Sequence, residues 1–532
     1  MLNYIWFALI ILGIGSAVTY DVLDSTNNKY GNGERLEARV EFQDDNSKEA
    51  KVTVSQKEFS EFYGVKVSEN VITNARLSKS DDHYTLFLKV DDSSPAIWRE
   101  MAAAVGKEDD LLGKVFLKNN YGAGGQSATM EFEPILFVKL KNVTNSLLNY
   151  AGVAVNIAIG LIGIMALWLG IIKVAEKAGL INLIAKSVRP ITKFLFPDVP
   201  HDHPAVSSMV MNISANMLGL GNAATPFGIK AMEELDKLNP EKGTATNAMC
   251  TFLAINTAGL TLIPTTAIAV RAAAGSSDPT IIIGTSIFGA TCATITGITA
   301  AKLFETFSGS GLTFSEWLSD NYRKLIGVLG GLAVLLFLIL SGVFTTIFSF
   351  VDPVVLKTII QVVSLVAIPL IIFSFLVYGL LKKVNIYEEF VEGAKEGFNI
   401  ALRIIPYLVA MLVAIGIFRA GGAMEILIGA LTPLTNLIGM PAEALPMALM
   451  RPLSGSGSIG VMTEIISVHG PDSFLGVLTS TFLGSTETTL YVLAVYFGAV
   501  NIKRTRHAVF VGLLADVAGI LAALFIVNLL FG

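Results

Sequence analysis

The chain has 532 residues, of which 53% are apolar and 15% charged, with a mean hydropathy of +0.62 and a formal net charge of −5. Such a composition excludes an ordinary soluble enzyme and gives no basic surface for nucleic acid; it points to a polytopic membrane protein. The two cysteines, Cys250 and Cys292, lie far apart in hydrophobic runs, so neither a disulfide framework nor a thiolate metal cluster is expected.

Taken in order, residues 3–18 (NYIWFALIILGIGSAV) read as a first membrane anchor, since no basic n-region precedes them and no small-residue cleavage site stands before Asp21. From Tyr20 to about residue 145 the character changes. Charged residues carry most of the acidic excess here, and RLEARVEF, AKVTVS, YTLFLKV and MEFEPILFVKL alternate with period two, which predicts a small β-rich soluble domain. The YGAGGQS run at 121–127 lacks the Lys-Ser/Thr that a phosphate loop needs and reads as a turn.

Beyond this domain, apolar segments at 149–172, 246–270, 281–303, 325–347, 355–381, 403–419, 474–498 and 507–530 have the length of membrane spans, making nine crossings with the anchor. Two amphipathic pieces, 178–196 and 421–437, read as helices lying at the interface. Each precedes a stretch of broken, Gly-, Ser- and Asn-rich sequence: MVMNISANMLGLGNAATPFG at 209–228 and MRPLSGSGSIG at 450–460. Glycine and asparagine disfavour a continuous helix, and Pro226 and Pro452 remove backbone donors. Broken backbone at bilayer depth survives only where protein or a polar cavity satisfies it, so these stretches predict re-entrant hairpins.

The halves repeat one another. Residues 164–179 match 409–422 in layout, RPITKFLFPDVP at 189 matches TPLTNLIGMPAE at 432, and TFLAINTAGL at 251 matches TFLGSTETTL at 481, with a spacing of roughly 230 to 245 residues. Counting crossings makes the repeats antiparallel. The expected architecture is an all-α polytopic membrane protein of two inverted repeats, each with a re-entrant hairpin, plus the β-rich domain inserted after the first span. Its sections are 1–19 (first helix), 20–145 (extracytoplasmic β-rich domain), 146–310 (first repeat), 311–384 (linking helices) and 385–532 (second repeat).

Several of these motifs resemble a known family. LNYIW at 2–6, ALWLGIIKVAEKAG at 166–179, the stretch from 209 to 235 and TATNAMCTFLAINT at 244–257 are similar to spore maturation protein A. VYGLLKKVNIYEEFVEGAKEGF at 377–398, IIPYLVAMLVAIGIFRAGG at 404–422, ALMRPLSGSGSIGVMTE at 448–464, STETTLYVLAVYFGAV at 485–500 and KRTRHA at 503–508 are similar to its partner, protein B. The resemblance covers almost everything outside the β-domain and implies a fusion of the two within the nucleoside-recognition ("gate") superfamily, which resembles concentrative nucleoside transporters. It implies a shared architecture, not a shared substrate.

Half-helices flanking a re-entrant break aim their dipoles at the midplane and can make a substrate or ion site there. In the first repeat the candidates are Asn212, Ser214, Asn216, Asn222 and Thr225, joined by Asn256, Thr257 and Thr261 from the span that follows. In the second repeat they are Arg451, Ser454, Ser456 and Ser458, with Ser485, Thr486, Glu487 and Thr488. The bland alternative for the small polar residues is helix–helix packing. Glu487 is the sharpest signal, because an ionisable group inside a span costs on the order of 2.5 to 3.5 kcal/mol to insert. It suits substrate binding or coupling to Na+ or H+, against an ion pair with Arg451. Asp516 is a second intramembrane acid, for an ion or as an anchor for Arg451. Arg271, Arg403 and Arg419 read as snorkelling span ends. The PHDHP run at 200–204 has no third partner for a metal, and no catalytic constellation stands out, so neither metal, cofactor nor enzyme chemistry is expected.

These readings predict a secondary-transporter-like protein of the bacterial inner membrane that takes a small polar solute and contacts lipid. The rival is a non-transporting envelope receptor or scaffold whose domain at 20–145 recruits a protein partner; a homo-oligomer is compatible with either.

Basic clusters at Lys186–Lys193, Arg323, Lys382–Lys383 and Lys503–His507 fall on one side when the N-terminus is cytoplasmic and the β-domain is outside. An impermeant thiol reagent added to intact cells should therefore label a cysteine placed at Asp81 and spare one placed at Arg504. Labelling at Arg504 with protection at Asp81 would reverse the orientation.

Overall fold

The computed structural model describes residues 2–42, 48–80, 82–105, 110–122, 125–219, 224–308 and 353–532. Asp81, Gly221, Asn222, the basic residues at Arg323 and the predicted span 325–347 lie outside the described residues. Two compact units are present, one holding residues 7–149 with 416–427 and the other holding most of the remaining helical chain.

In the first unit, α1 (Leu2–Thr26) is followed by a six-stranded antiparallel barrel: β1 (Leu36–Phe42), β2 (Glu49–Val54), β3 (Val71–Lys79), β4 (Tyr84–Lys89), β5 (Asp110–Gly122) and β6 (Gly125–Phe132). Consecutive strands pair, and β1 closes on β6 with Leu36 opposite Met130, which leaves no free sheet edge. The period-two pattern decides what is inside: Leu36, Ala38 and Val40 are buried while Glu37, Arg39 and Glu41 are exposed. Val52, Leu77, Leu86, Leu88, Val115 and Met130 join them. Two helices, α2 (Gln56–Tyr63) and α3 (Ala96–Val105), add Phe59 and Trp98, whose rings meet edge-on with centroids 5.3 Å apart. The Trp98 indole donates to the Tyr63 hydroxyl at 3.1 Å. Burial pushes that hydroxyl above its ordinary value, so it remains a neutral phenol. The predicted strand MEFEPILFVKL is shorter than expected: β6 stops at Phe132, and Val138 opens a helix, α4 (Val138–Lys177). The carboxylate of Asp21 from α1 accepts from the backbone N–H groups of Lys139 and Leu140 at 2.8 and 2.9 Å, satisfying free donors at the positive end of α4.

The second unit is helical. After α4 come α5 (Leu180–Leu195), α6 (Pro204–Met217), α7 (Thr225–Lys237), α8 (Asn247–Ala258), α9 (Thr265–Ala273) and α10 (Ile282–Ser308). The C-terminal series is α11 (Pro353–Leu381), α12 (Ile386–Ala420), α13 (Ala423–Asn436), α14 (Leu445–Met450), α15 (Gly455–His469), α16 (Phe474–Ser485), α17 (Thr489–Ala499) and α18 (Ala508–Phe531). Among the described residues, five helices are long and apolar enough to span a membrane, at Asn3–Thr26, Val138–Lys177, Ile282–Glu305, Ile386–Ala420 and Ala508–Phe531. The chain is thus a multi-pass membrane protein. Its spans show inside-out amphipathicity: on α18, Phe510, Leu513 and Val517 are exposed where lipid would lie, whereas Gly512, Ala515, Asp516 and Gly519 are buried.

Two predicted continuous spans are discontinuous. Segment 246–270 is α8, a break and α9, because Gly259 takes a left-handed conformation (φ +61°) and Pro264 stands just before α9. Segment 474–498 is α16, an extended stretch at Thr486–Thr488, and α17; no glycine or proline explains it, but three threonines and a buried arginine do, as described below. Both first halves are core elements, with every residue of Ala248–Ala258 and Gly476–Ser485 buried.

The packing is reciprocal. Helix α9 lies on α15 and α16, and α17 lies on α7 and α8; α10 and α18 pack on each other, and each also packs on both α8 and α16. The second half of each interrupted helix therefore belongs structurally to the other repeat.

Within the barrel, Trp98→Ala should cost about 3–5 kcal/mol through the cavity it leaves, whereas Trp98→Phe should cost less. Pulse proteolysis of the purified chain in urea reads this as a shift in the midpoint for cleavage between residues 30 and 135. An unchanged midpoint in Trp98→Ala would mean that the barrel core does not rest on this ring.

Candidate functional site

The two helix breaks meet. The backbone N–H of Glu487 donates to the carbonyl of Thr257 at 3.0 Å, joining positions that the internal repeat aligns with each other. Only glycine fits opposite: a Cβ on Gly259 would lie 2.7 Å from Glu487 Cγ. Each break is also tied to the hairpin of its own repeat, Leu262 N–H donating to Met217 O at 2.9 Å and Leu490 N–H to Pro452 O at 3.0 Å.

Arg451 holds the second break open. Its guanidinium donates to the Thr488 hydroxyl at 3.0 Å, to the Leu483 carbonyl at 3.2 Å and to the Thr486 carbonyl. The last carbonyls of α16 thus receive side-chain donors where the helix stops supplying backbone ones, and a cation sits at the negative end of its dipole. Arg451 is also 3.6 Å from the Glu487 carboxylate. The partners differ in environment: the arginine side chain is 4% exposed and the glutamate 44%. Glu487 thus presents a carboxylate outward from a buried cationic support. Ser454 caps α15 by accepting from Gly457 N–H at 3.0 Å and lies 3.4 Å from the Ser456 hydroxyl. Ser458 bonds back to the Ser454 carbonyl at 2.7 Å.

In the first repeat, the amides form a chain across three helices. Asn216 Nδ2 donates to Asn256 Oδ1 at 2.9 Å, and Asn256 Nδ2 to Phe252 O at 2.9 Å. Asn212 Nδ2 donates to Ala224 O at 3.0 Å and to the Tyr496 hydroxyl at 3.1 Å. Tyr496, on α17, reaches Asn256 Oδ1 at 3.5 Å and so joins the second repeat to the first. Ser214, Thr257 and Ser485 turn their hydroxyls onto backbone carbonyls of their own helices, at 2.7, 3.1 and 2.6 Å, the packing role that small polar residues often have in membranes. Thr225 opens α7, and Thr261, in the first break, bonds to Gly259 O at 3.1 Å. Asp516 accepts from the Thr489 hydroxyl at 2.6 Å and is tied to the start of α17 by that bond.

Three features escaped the sequence reading. Tyr496 looked like one more aromatic in an apolar run. Glu464, an acid on α15 that is 1% exposed, was passed over. Arg271, read as a snorkelling span end, is instead fully buried, donating to Asp472 Oδ1 at 2.9 Å, to Ser276 Oγ at 3.0 Å and to the Pro471 carbonyl. The reason is the break at Gly259: it shortens the helix and brings Arg271 against the loop between α15 and α16. Burial alone would raise the Asp472 carboxyl, but hydrogen bonds from Ser276 and Ser277 and the Arg271 charge hold it below its ordinary value.

Comparison with known proteins agrees with this two-fold plan. The family profile described as "Gate: Nucleoside recognition" matches residues 158–274 and again 401–503. Spore maturation protein B of Bacillus subtilis (strain 168) is 56% identical over 174 residues, which cover 33% of this chain and 98% of that protein. Spore maturation protein A of the same organism is 46% identical over 165 residues, 31% of this chain and 84% of that protein. The two align with separate halves, as in a fusion. No solved structure gives a significant match.

Because Arg451 supplies the donors for the carbonyls of the second break, Arg451→Met should destabilise the chain by on the order of 3 kcal/mol, and Arg451→Lys, with a single point charge, should recover only part. Thermal unfolding of the detergent-solubilised protein checks this. A wild-type melting temperature in Arg451→Met would show that the break stands without its guanidinium.

Proposed function

Since the chain belongs to the spore maturation A/B family of gate, nucleoside-recognition proteins and carries the domain twice, we propose that it is a secondary transporter of a small polar solute, built from two inverted repeats whose broken hairpins are re-entrant. The observation that carries this reading is the meeting of the two interrupted helices at Thr257 and Glu487. Interrupted helices in corresponding positions of two repeats are the hallmark of a midplane transport site. The half-exposed Glu487, backed by buried Arg451, and the amide chain of Asn212, Asn216 and Asn256 supply two kinds of group: one ionic, the other rich in neutral donors and acceptors. Such a set suits a polar, hydrogen-bonding metabolite such as a nucleoside, driven by an ion gradient. In this reading residues 20–145 are extracytoplasmic, in the inner membrane of a bacterium.

A second reading rests on the barrel. Its interior is filled by its own side chains, so any recognition by it uses the outer face. This suits an envelope scaffold that recruits a protein partner.

Flux into proteoliposomes separates the two. After a thermal-shift screen of nucleosides, nucleobases and other metabolites identifies a substrate, gradient-driven uptake should be lost in Glu487→Gln, which keeps the shape and removes the charge, while the protein remains monodisperse. Uptake at the wild-type rate in that variant would remove Glu487 from the mechanism. Absence of any ligand and any flux in the wild type would favour the scaffold.

A further inference from the structure

One buried acid in the helical unit is only half satisfied. Asp516 is 1% exposed; Oδ2 accepts from Thr489 at 2.6 Å, and Oδ1 has no hydrogen-bond partner. A buried carboxylate oxygen without a donor is costly, and within a membrane span the cost marks function by default. A second oxygen nearby is in the same condition: the Thr486 hydroxyl, on a residue 2% exposed, is also without a partner. The two lie on α18 and at the end of α16, helices that pack directly on each other. Gly519 lies three residues from Asp516 on the same face of α18, and a Cβ there would stand 2.5 Å from Thr486 Cγ2 and 3.3 Å from the Ser485 carbonyl oxygen. Likewise, a Cβ on Gly512 would stand 2.7 Å from Thr489 Cγ2. Bare glycines one turn to either side thus let α18 bring Asp516 against the unwound end of α16.

We propose that this is a sodium site, in which Asp516 Oδ1, the Thr486 hydroxyl and the Ser485 carbonyl take one Na+. Oxygen donors of these kinds suit a hard cation. Charge favours the same ligand. The neighbouring charged groups at the break are Arg451 and Glu487, which already face each other at 3.6 Å, and Arg451 is further engaged by the Leu483 and Thr486 carbonyls. Among the described residues, no cation lies within salt-bridge distance of Asp516. The facing turns of α8 and α10 bring Ala258 and Ala293, and the nearest titratable groups along those helices are Cys250 and Cys292. One monovalent cation therefore neutralises the pocket. The site lies in the second repeat, apart from the amide chain of the first, and it deepens the proposed ion coupling while existing independently of whether a solute is moved.

The test uses the full-length purified chain and sodium itself. At constant pH and ionic strength, Na+ should raise the melting temperature saturably where K+ and choline do not, by linkage to the folded state, and radioactive sodium should bind at one ion per chain. Asp516→Asn should abolish both effects. Thr486→Val should weaken binding about tenfold, and Thr486→Ser, which keeps the hydroxyl, should restore it; this pair separates a ligand from a fold defect. Sodium binding that persists in Asp516→Asn, equal stabilisation by K+, or stabilisation by acid alone with no sodium effect would each overturn the site, the last by assigning the orphan oxygen to a proton. Sodium binding as expected without any solute flux would instead leave the site standing and count against transport.

Discussion

The helical unit depends on satisfying the backbone of two helices that stop in the middle of it. An interrupted helix leaves N–H and C=O groups that lipid cannot serve, so each break needs partners from protein. Here the partners come largely from the other break and from the two hairpins. Glu487 N–H goes to Thr257 O, Leu262 N–H to Met217 O and Leu490 N–H to Pro452 O. The last two bonds are analogous: in each repeat a donor at or just after the break reaches a carbonyl where the preceding broken stretch leaves its first helix. The Glu487–Thr257 bond crosses between the repeats, as the packing of α9 and α17 does.

The connecting loops show the same reciprocity with different chemistry. Residues 243–245, before α8, meet 503–506, before α18, mostly through backbone: Lys503 and Arg504 N–H groups donate to Gly243 O at 2.9 and 3.0 Å, and Ala245 N–H to Arg504 O at 3.0 Å. The equivalent meeting, between the loop after α9 and the loop before α16, is ionic and anchored by fully buried Arg271 on Asp472. Exposed Arg504–Glu241 at 3.4 Å adds little to the first junction, since both groups are well solvated. A guanidinium with no exposure, by contrast, cannot be released without leaving an uncompensated charge. The two junctions are therefore unequal in what it would take to part them.

How much of this could be read beforehand follows from the range of the forces involved. The stretches at 209–228 and 450–460 announced themselves because Gly, Asn and Pro act locally on the backbone, and the alternation in RLEARVEF and YTLFLKV marked strands for the same reason. Closure of the barrel was not legible, since Leu36 meets Met130 only through the register of every strand between. Nor was the break at 486–488. Nothing local forbids a helix there strongly enough, and its cause, Arg451, lies 35 residues away from the Thr486 carbonyl that it binds. Among the polar candidates, the sequence could not separate Asn256, which bonds to another helix, from Ser214 and Ser485, which bond back to their own.

The duplicated scaffold has diverged in its chemistry more than in its shape. Where the first repeat places Asn216 and Asn256, neutral groups that donate and accept, the second places Arg451, Glu487 and Asp516. Repeating that set in both halves would bury a second arginine and a second aspartate, each costing several kcal/mol to desolvate. At the breaks themselves the charge is confined to the second repeat, where Arg451 binds carbonyls that α16 leaves unpaired, while the buried charge of the first repeat, Arg271, sits at the far end of α9 on Asp472. Tyr496 makes this division structurally coherent. It is borne by the helix that starts at the ionic break, yet its hydroxyl bonds with Asn212 and Asn256, so one side chain ties the second break to the amides of the first repeat.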